Sequence, residues 1–98
     1  MAERSKNMAG PLIRGGDVAR AVAEAAKIDN PDKEIIVEDR GAYMRIEADG
    51  GLIIRQDTVS EFLGRRFEIR DLEVNLSGFS GFIDTQDDYV RFYLEKTL

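Results

Sequence analysis

Leu72-Glu73-Val74-Asn75-Leu76-Ser77-Gly78-Phe79-Ser80-Gly81-Phe82 is the stretch around which the fold is read. Its first half alternates, with Leu72, Val74 and Leu76 on one side and Glu73 and Asn75 on the other. A strand with one buried face has that period. Its second half breaks the alternation. Ser77-Gly78 and Ser80-Gly81 flank Phe79, and glycine inside a strand marks a bulge, a bend or a close approach of another backbone. Two readings of Phe79 and Phe82 stand side by side. Either they are core rings with glycines relieving crowding, since aromatic side chains usually pack inside, or the small residues leave Phe79 proud on a flat, partly apolar docking face.

Upstream, Met1 to Met8 reads as a mobile arm and 9–98 as one domain. Pro11-Leu12-Ile13-Arg14 reads as a short strand, with Pro11 placing it at an edge or a strand start. Gly15-Gly16 turns the chain and Asp17 is suited to cap a helix. The helix runs Val18–Ile28, with Val18, Val22, Ala25 and Ala26 on its buried stripe. Asn30-Pro31 ends it, because the residue before proline is pushed out of the helical region. Three strand-like runs follow, Glu34–Glu38, Tyr43–Ala48 and Leu52–Arg55. Arg40-Gly41 and Asp49-Gly50-Gly51 between them carry turn chemistry, which predicts an antiparallel meander. Thr58-Val59-Ser60-Glu61 fits a capping box, and a short helix follows with Val59, Phe62 and Leu63 inward and Gly64 at its C-terminal turn. Arg65 to Asp71 reads as a connector with one helical turn near Ile69. Phe82–Asp84 and Tyr89–Glu95 form a closing hairpin around Thr85-Gln86-Asp87-Asp88, with Val90, Phe92 and Leu94 inward and Tyr89, Arg91 and Tyr93 outward. This order predicts an α+β domain of antiparallel sheets packed with one longer and one short helix.

The composition narrows the chemistry. Histidine and cysteine are both absent from the 98 residues, which removes the usual general base near neutral pH, the thiol nucleophile and the usual transition-metal ligands. Asp84, Asp87 and Asp88 lack the ligand spacing of a calcium loop. Gly15-Gly16 lacks any phosphate-binding signature, and Asp17 would repel an anion there. Ser60, Ser77 and Ser80 have no activating base. Glu38 and Asp39 are adjacent on a strand and so point to opposite faces. The net charge of −5, with Arg65-Arg66 the only adjacent basic pair, argues against nucleic acid and anionic membranes as partners. Neither a spanning apolar run nor a signal-peptide core is visible, so the chain is expected to stay in the cytoplasm. No metal or cofactor is expected. A poor candidate for catalysis can still be a binding protein, and a small-molecule-binding regulatory domain is the rival reading.

Several segments, taken in order, resemble one small family. They are Gly10-Pro11-Leu12-Ile13-Arg14-Gly15-Gly16-Asp17, Ile28-Asp29-Asn30-Pro31, and Val37-Glu38-Asp39-Arg40 with Tyr43 and Arg45. Leu63-Gly64-Arg65, Asn75-Leu76 with Phe79 and Gly81, and Arg91-Phe92-Tyr93 complete the set. The likeness is to the effector, or coupling, subunits of bacterial multicomponent diiron monooxygenases, closest to the toluene and related aromatic or alkene branch. It implies a cofactor-less protein that binds the diiron hydroxylase component, shifts helices near the metal centre, and tunes oxygen activation, coupling and regioselectivity. It also implies a Rieske-type ferredoxin and a flavin reductase in the same system. The local sequence proposes Ser77, Gly78, Phe79, Ser80 and Gly81 as the hydroxylase contact, with Arg14 and Asn30 as polar contacts nearby. On that reading Phe79→Asp or Gly81→Trp weakens activation and leaves the fold largely intact.

Overall fold

The structure, a computed structural model, describes residues 7–94. They form β1 (Met8–Arg14), α1 (Asp17–Asp29), β2 (Ile36–Asp39), β3 (Tyr43–Asp49), β4 (Gly51–Arg55), α2 (Gln56–Leu63), α3 (Ile69–Asn75), β5 (Leu76–Ser80), β6 (Phe82–Thr85) and β7 (Tyr89–Tyr93). One antiparallel sheet has the order β2-β3-β1-β5, the other β4-β7-β6. Of the arm expected over 1–8, residues 1–6 lie outside the described part, and Met8 is already the first, buried residue of β1. The end of the last strand expected at Glu95 also lies outside it.

The meander does not form. β2 and β3 make the predicted hairpin, with Gly41 at φ 79° and its amide donating to Asp39 Oδ1 at 2.8 Å. β4, however, leaves for the second sheet and pairs with β7. The reason is the Gly50-Gly51 corner, where both residues have positive φ, 80° and 108°. A Cβ on Gly51 would lie 2.0 Å from the Phe92 carbonyl oxygen, so β4 and β7 come together only over a bare backbone. Lys33 holds the corner from below, its ammonium donating to the carbonyls of Asp49 (3.2 Å) and Gly51 (2.6 Å). β3 is thereby free to pair its second edge with β1. Pro11 therefore lies in the middle of an interior strand, not at an edge. The ladder to β3 skips Gly10 and Pro11, which accommodates the missing amide.

The two sheets and α1 enclose one core, with Ile13, Met44 and Ile46 from the first sheet and Leu52, Ile54, Val90 and Phe92 from the second. α1 buries six residues, Ala19, Ala21, Val22, Ala23, Ala25 and Ala26, a broader face than the predicted stripe. Five of them are alanine, so the helix can approach its neighbours closely. Gly16, not Asp17, is the residue that precedes the helix. Asp17 sits inside the first turn, where the helix dipole still favours its charge. The capping box assigned to Thr58 is also displaced, because α2 starts at Gln56. Thr58 instead donates to Asp29 Oδ1 at 2.7 Å, and the Arg55 amide donates to Asp29 Oδ2 at 2.8 Å. Asp29 thus ties the end of α1 to the start of α2. Phe62, expected inward, is exposed.

The first half of Leu72–Phe82 is not a strand. Ile69–Asn75 is helix α3, and the strand begins only at Leu76. Its capping box is made by Glu68 and Asp71. Gln56 Oε1 accepts the Ile69 amide at 3.0 Å, which fixes the helix start against α2. Ile69 and Leu72 are buried, three apart as a helix face requires, while Val74 is 71% exposed. Leu72 and Leu76 are spaced by four as well as by two twos, and the helical reading of that ambiguity wins.

Candidate functional site

β5 and β6 meet at Gly81, where the chain crosses from one sheet to the other. Gly81 has φ 88°, and a Cβ there would lie 2.6 Å from the Tyr93 carbonyl oxygen and 2.9 Å from Ala9 Cβ. This glycine is a structural corner, so Gly81→Trp would break the fold and cannot serve as a test of docking. Gly78 is different. A Cβ there meets nothing within 4 Å. The predicted bulge is present: Leu12 pairs with Gly78 and Ile13 with Leu76, which leaves Ser77 as the extra residue.

Around this corner stand two aromatic side chains of the kind that sequence reading left open. Phe79 is 45% exposed and its ring centroid lies 5.9 Å from that of buried Phe92. Phe82 is 48% exposed and stacks on Tyr93 at 5.7 Å, and the Arg91 guanidinium lies 4.5 Å from the Tyr93 ring centre. Each ring is anchored on one side and bare on the other. The alternation of β7 already put Arg91 and Tyr93 on one outer face; Phe82 joins them because it pairs directly with Tyr93. Val74, at the end of α3, adds a further exposed apolar side chain near the start of β5.

The other predicted contact residues divide. Gly78 and Ser80 pair with Leu12 and Gly10, and Arg14 follows two residues beyond Leu12 on the same alternation, exposed. These belong to the outer face of the first sheet. Asn30 does not join them. It is buried, its Nδ2 donates to the carbonyls of Ala26 and Ile53 (2.8 Å each), and its Oδ1 accepts the Ile53 amide at 3.0 Å. Its carboxamide imitates one more strand residue on the free edge of β4, and no polar atom is left for a partner.

Sequence reading missed Glu47 entirely. It lies on β3, is 1% exposed, and accepts the Ser80 hydroxyl at Oε2 over 2.9 Å. Strand alternation places it outward beside Arg45, so burial was not expected. With Gly10, Pro11, Gly78 and Phe79 it borders a shallow depression of about 240 Å³. A larger depression, about 420 Å³, lies between α3 and the β6–β7 turn and is bordered by Arg66, Glu68, Arg70, Glu73 and Asp87. It is open and charged, unlike the enclosed, mostly apolar pocket a small ligand uses. There the hydrogen bond from Arg70, and then its charge, hold the Glu68 carboxyl below the ordinary carboxylate range. Among the described residues no three histidine, cysteine, aspartate or glutamate side chains gather as metal ligands would, and no helix is long and apolar enough to cross a membrane.

Known proteins share this architecture. The model of the MmoB/DmpM family matches residues 7–93. The effector subunit of the alkene monooxygenase system of Xanthobacter autotrophicus is 37% identical over 94 residues, covering 96% of this chain and 93% of that protein. The phenol 2-monooxygenase stimulatory component DmpM of a Pseudomonas species is 42% identical over 83 residues, covering 85% and 88%. A chain from the phenol hydroxylase–regulatory protein complex superposes with a TM-score of 0.74 at 30% identity, covering 90% of this chain and 99% of its own length. The soluble methane monooxygenase regulatory protein B, at 24% identity and a TM-score of 0.68, shares the fold over 97% of this chain and 70% of its own.

Proposed function

Since the chain belongs to the MmoB/DmpM family, and so is an effector subunit of a multicomponent monooxygenase, we propose that it docks on its hydroxylase through the corner where β5 passes into β6. The observation that carries this reading is the pair Phe79 and Phe82, each close to half exposed yet seated on a fixed neighbour. On the other face of β5 from the Phe79 ring, Gly78 leaves the surface open, and Ser80 and Arg14, with Ser77 at the bulge, extend the contact as polar groups. Asn30 and Gly81 are withdrawn from the contact and assigned to the scaffold.

The chemistry of the effect follows from thermodynamics. A protein without catalytic groups raises a partner's rate only by binding one of its conformations more tightly than another. A differential affinity of tenfold corresponds to about 1.4 kcal/mol, and the hydroxylase population shifts by that factor. The conformation favoured is one in which the metal centre, a diiron site, activates oxygen and couples electron use to product. The same proposal places a Rieske-type ferredoxin and a flavin reductase in the system, in the cytoplasm, as the electron source. The test is hydroxylase turnover with and without this protein, titrated with the parent chain and with Phe79→Asp. The parent raises turnover or coupling; the variant needs a higher concentration for the same effect. A hydroxylase that runs identically without the protein defeats the reading.

A further inference from the structure

We propose that Glu47, which lies two strands away from Phe79, is a positioning residue for the docking face, acting through a strap that passes over Gly10 to Ser80. The proposal rests on the docking reading above. Its basis is a row across the first sheet. The β1–β3 register, Ala9 with Ala48 and Leu12 with Arg45, sets Gly10 opposite Glu47, and Gly10 pairs with Ser80 on its other side. Neighbouring strands are about 4.8 Å apart, so β3 and β5 lie about 9.6 Å apart with β1 between. A glutamate side chain and a serine hydroxyl meet over that span only when the middle position is bare. Gly10 makes it so, and a Cβ there would lie 2.0 Å from the Ile46 carbonyl oxygen and 2.9 Å from Glu47 Cα. The Ser80 hydroxyl then donates to Glu47 Oε2 at 2.9 Å, a hydrogen bond strengthened by the carboxylate charge.

β5 needs such a strap. It is an edge strand held by β1 alone, its ladder is interrupted at Ser77, and Gly78 contributes no side chain to packing. Among the described residues the bond from Ser80 is the only side-chain hydrogen bond β5 makes. Phe79 is the residue immediately before it. Without the strap, the backbone that aims Phe79 is fixed on one side only, and ordering it on docking costs affinity.

The experiment compares the parent chain with Ser80→Ala, Ser80→Thr, Glu47→Gln and Phe79→Asp. Three quantities are read: the effector concentration giving half-maximal hydroxylase activation, the maximal rate, and amide exchange at Gly78–Gly81. Ser80→Ala is expected to raise the half-saturating concentration about tenfold, the scale of one charge-assisted hydrogen bond, and to speed exchange at Gly78–Gly81; weaker activation with exchange at the parent rate would mean loss of a direct contact alone and would overturn the strap. Ser80→Thr keeps the hydroxyl and is expected to keep parent half-saturation, whereas Glu47→Gln keeps an acceptor oxygen without the charge and is expected to fall between the parent and Ser80→Ala. If Ser80→Ala activates at parent concentrations with parent exchange, or if it unfolds outright, Glu47 does not position the face and the strap is overturned. Phe79→Asp separates the two claims. Normal activation by that variant removes the docking reading, with exchange at Gly78–Gly81 still judging the strap. Failed activation by it beside normal activation by Ser80→Ala removes the strap alone.

Discussion

Replacing Asn30 with alanine should cost stability and leave docking intact. The side chain donates to Ala26 and Ile53 carbonyls and accepts the Ile53 amide, at 2.8, 2.8 and 3.0 Å. The Ala26 carbonyl keeps the Asn30 main-chain amide as a partner at 3.1 Å, so the loss falls mainly on Ile53. Three hydrogen bonds at about 1 kcal/mol each, with two strand groups left wanting partners beside a half-buried residue, give about 2–4 kcal/mol. A domain of this size holds about 5–10 kcal/mol in total, and about 4–8 °C of melting temperature follows each kcal/mol. The expected drop is therefore about 8–32 °C. Asn30→Asp should be worse at neutral pH, because a carboxylate would face two carbonyl oxygens. Its deficit should shrink as pH falls toward the unfolded aspartate pKa of about 4 and be smallest below it, because the buried acid takes up its proton before the unfolded one does and then again offers a donor. Urea and thermal unfolding measure the stability, and hydroxylase activation at 15–20 °C, where the variant is still folded, measures docking. A variant that melts like the parent but fails to activate would refute the reasoning and return Asn30 to the contact face.

Gly81→Ala should destabilise by about 1–3 kcal/mol or more, since φ 88° and a 2.6 Å approach to the Tyr93 carbonyl both oppose a side chain, whereas Gly78→Ala should melt within about 1 kcal/mol of the parent; equal melting curves would contradict the corner. Phe79→Asp should lose about 3–4 kcal/mol of fold stability, from about 110 Å² of buried ring surface plus the ring contact with Phe92, while weakening activation; unfolding in denaturant separates the two, and global unfolding at 25 °C would assign the ring to the core. The Glu68 carboxyl should titrate below the usual carboxylate range because Arg70 bonds it. A depressed folded value contributes stability that is present above the unfolded pKa and lost as pH falls through the folded one, so the start of α3 should loosen only in acid. A carbon-detected NMR titration reads the midpoint, and an ordinary value would remove the Arg70 contact.

The hairpins were legible because their turns carry their own instructions. Arg40-Gly41 needs a positive φ and Asp39 is on hand to accept the amide; Thr85 to Asp88 closes with Gln86 donating to the Tyr89 carbonyl at 2.8 Å. The alternation Met44, Ile46, Ala48 likewise reports a buried face directly. What failed was choice of partner. Gly50-Gly51 reads equally as a hairpin turn or a corner, and only the close approach of β7 decides. Leu72 to Leu76 satisfies both periods over five residues, and Glu68, four residues upstream of Leu72, holds the deciding cap. Thr58 looked like a cap because its true acceptor, Asp29, is 29 residues away. On the candidate docking face, the exposure of Phe79 and the open space at Gly78 were legible through local contrast of size. Phe82, Asn30 and Glu47 were not, because their exposure or burial is set by residues on other strands.

The form of the corner bears on how an effector can act at all. A phenylalanine carries about 200 Å² of surface, so the bare halves of Phe79 and Phe82 offer about 90 Å² each, or about 2 kcal/mol apiece when fully covered. Immobilising a free side chain on binding would consume about 0.5–1.5 kcal/mol of that. Here the immobilisation is done in the free protein, with Phe79 set against Phe92 and Phe82 against Tyr93. The rings can therefore deliver most of their burial to the partner. Affinity alone does not activate, since a ligand binding two conformations equally shifts neither. Discrimination requires that the rings be unable to follow the hydroxylase as it moves, and a stiff corner meets that requirement where a pliable loop would not. If the docking proposed for this corner holds, the glycine at position 81, which passes between the sheets at φ 88° close against the Tyr93 carbonyl, is as much a part of the effector's action as the aromatic residues on either side of it.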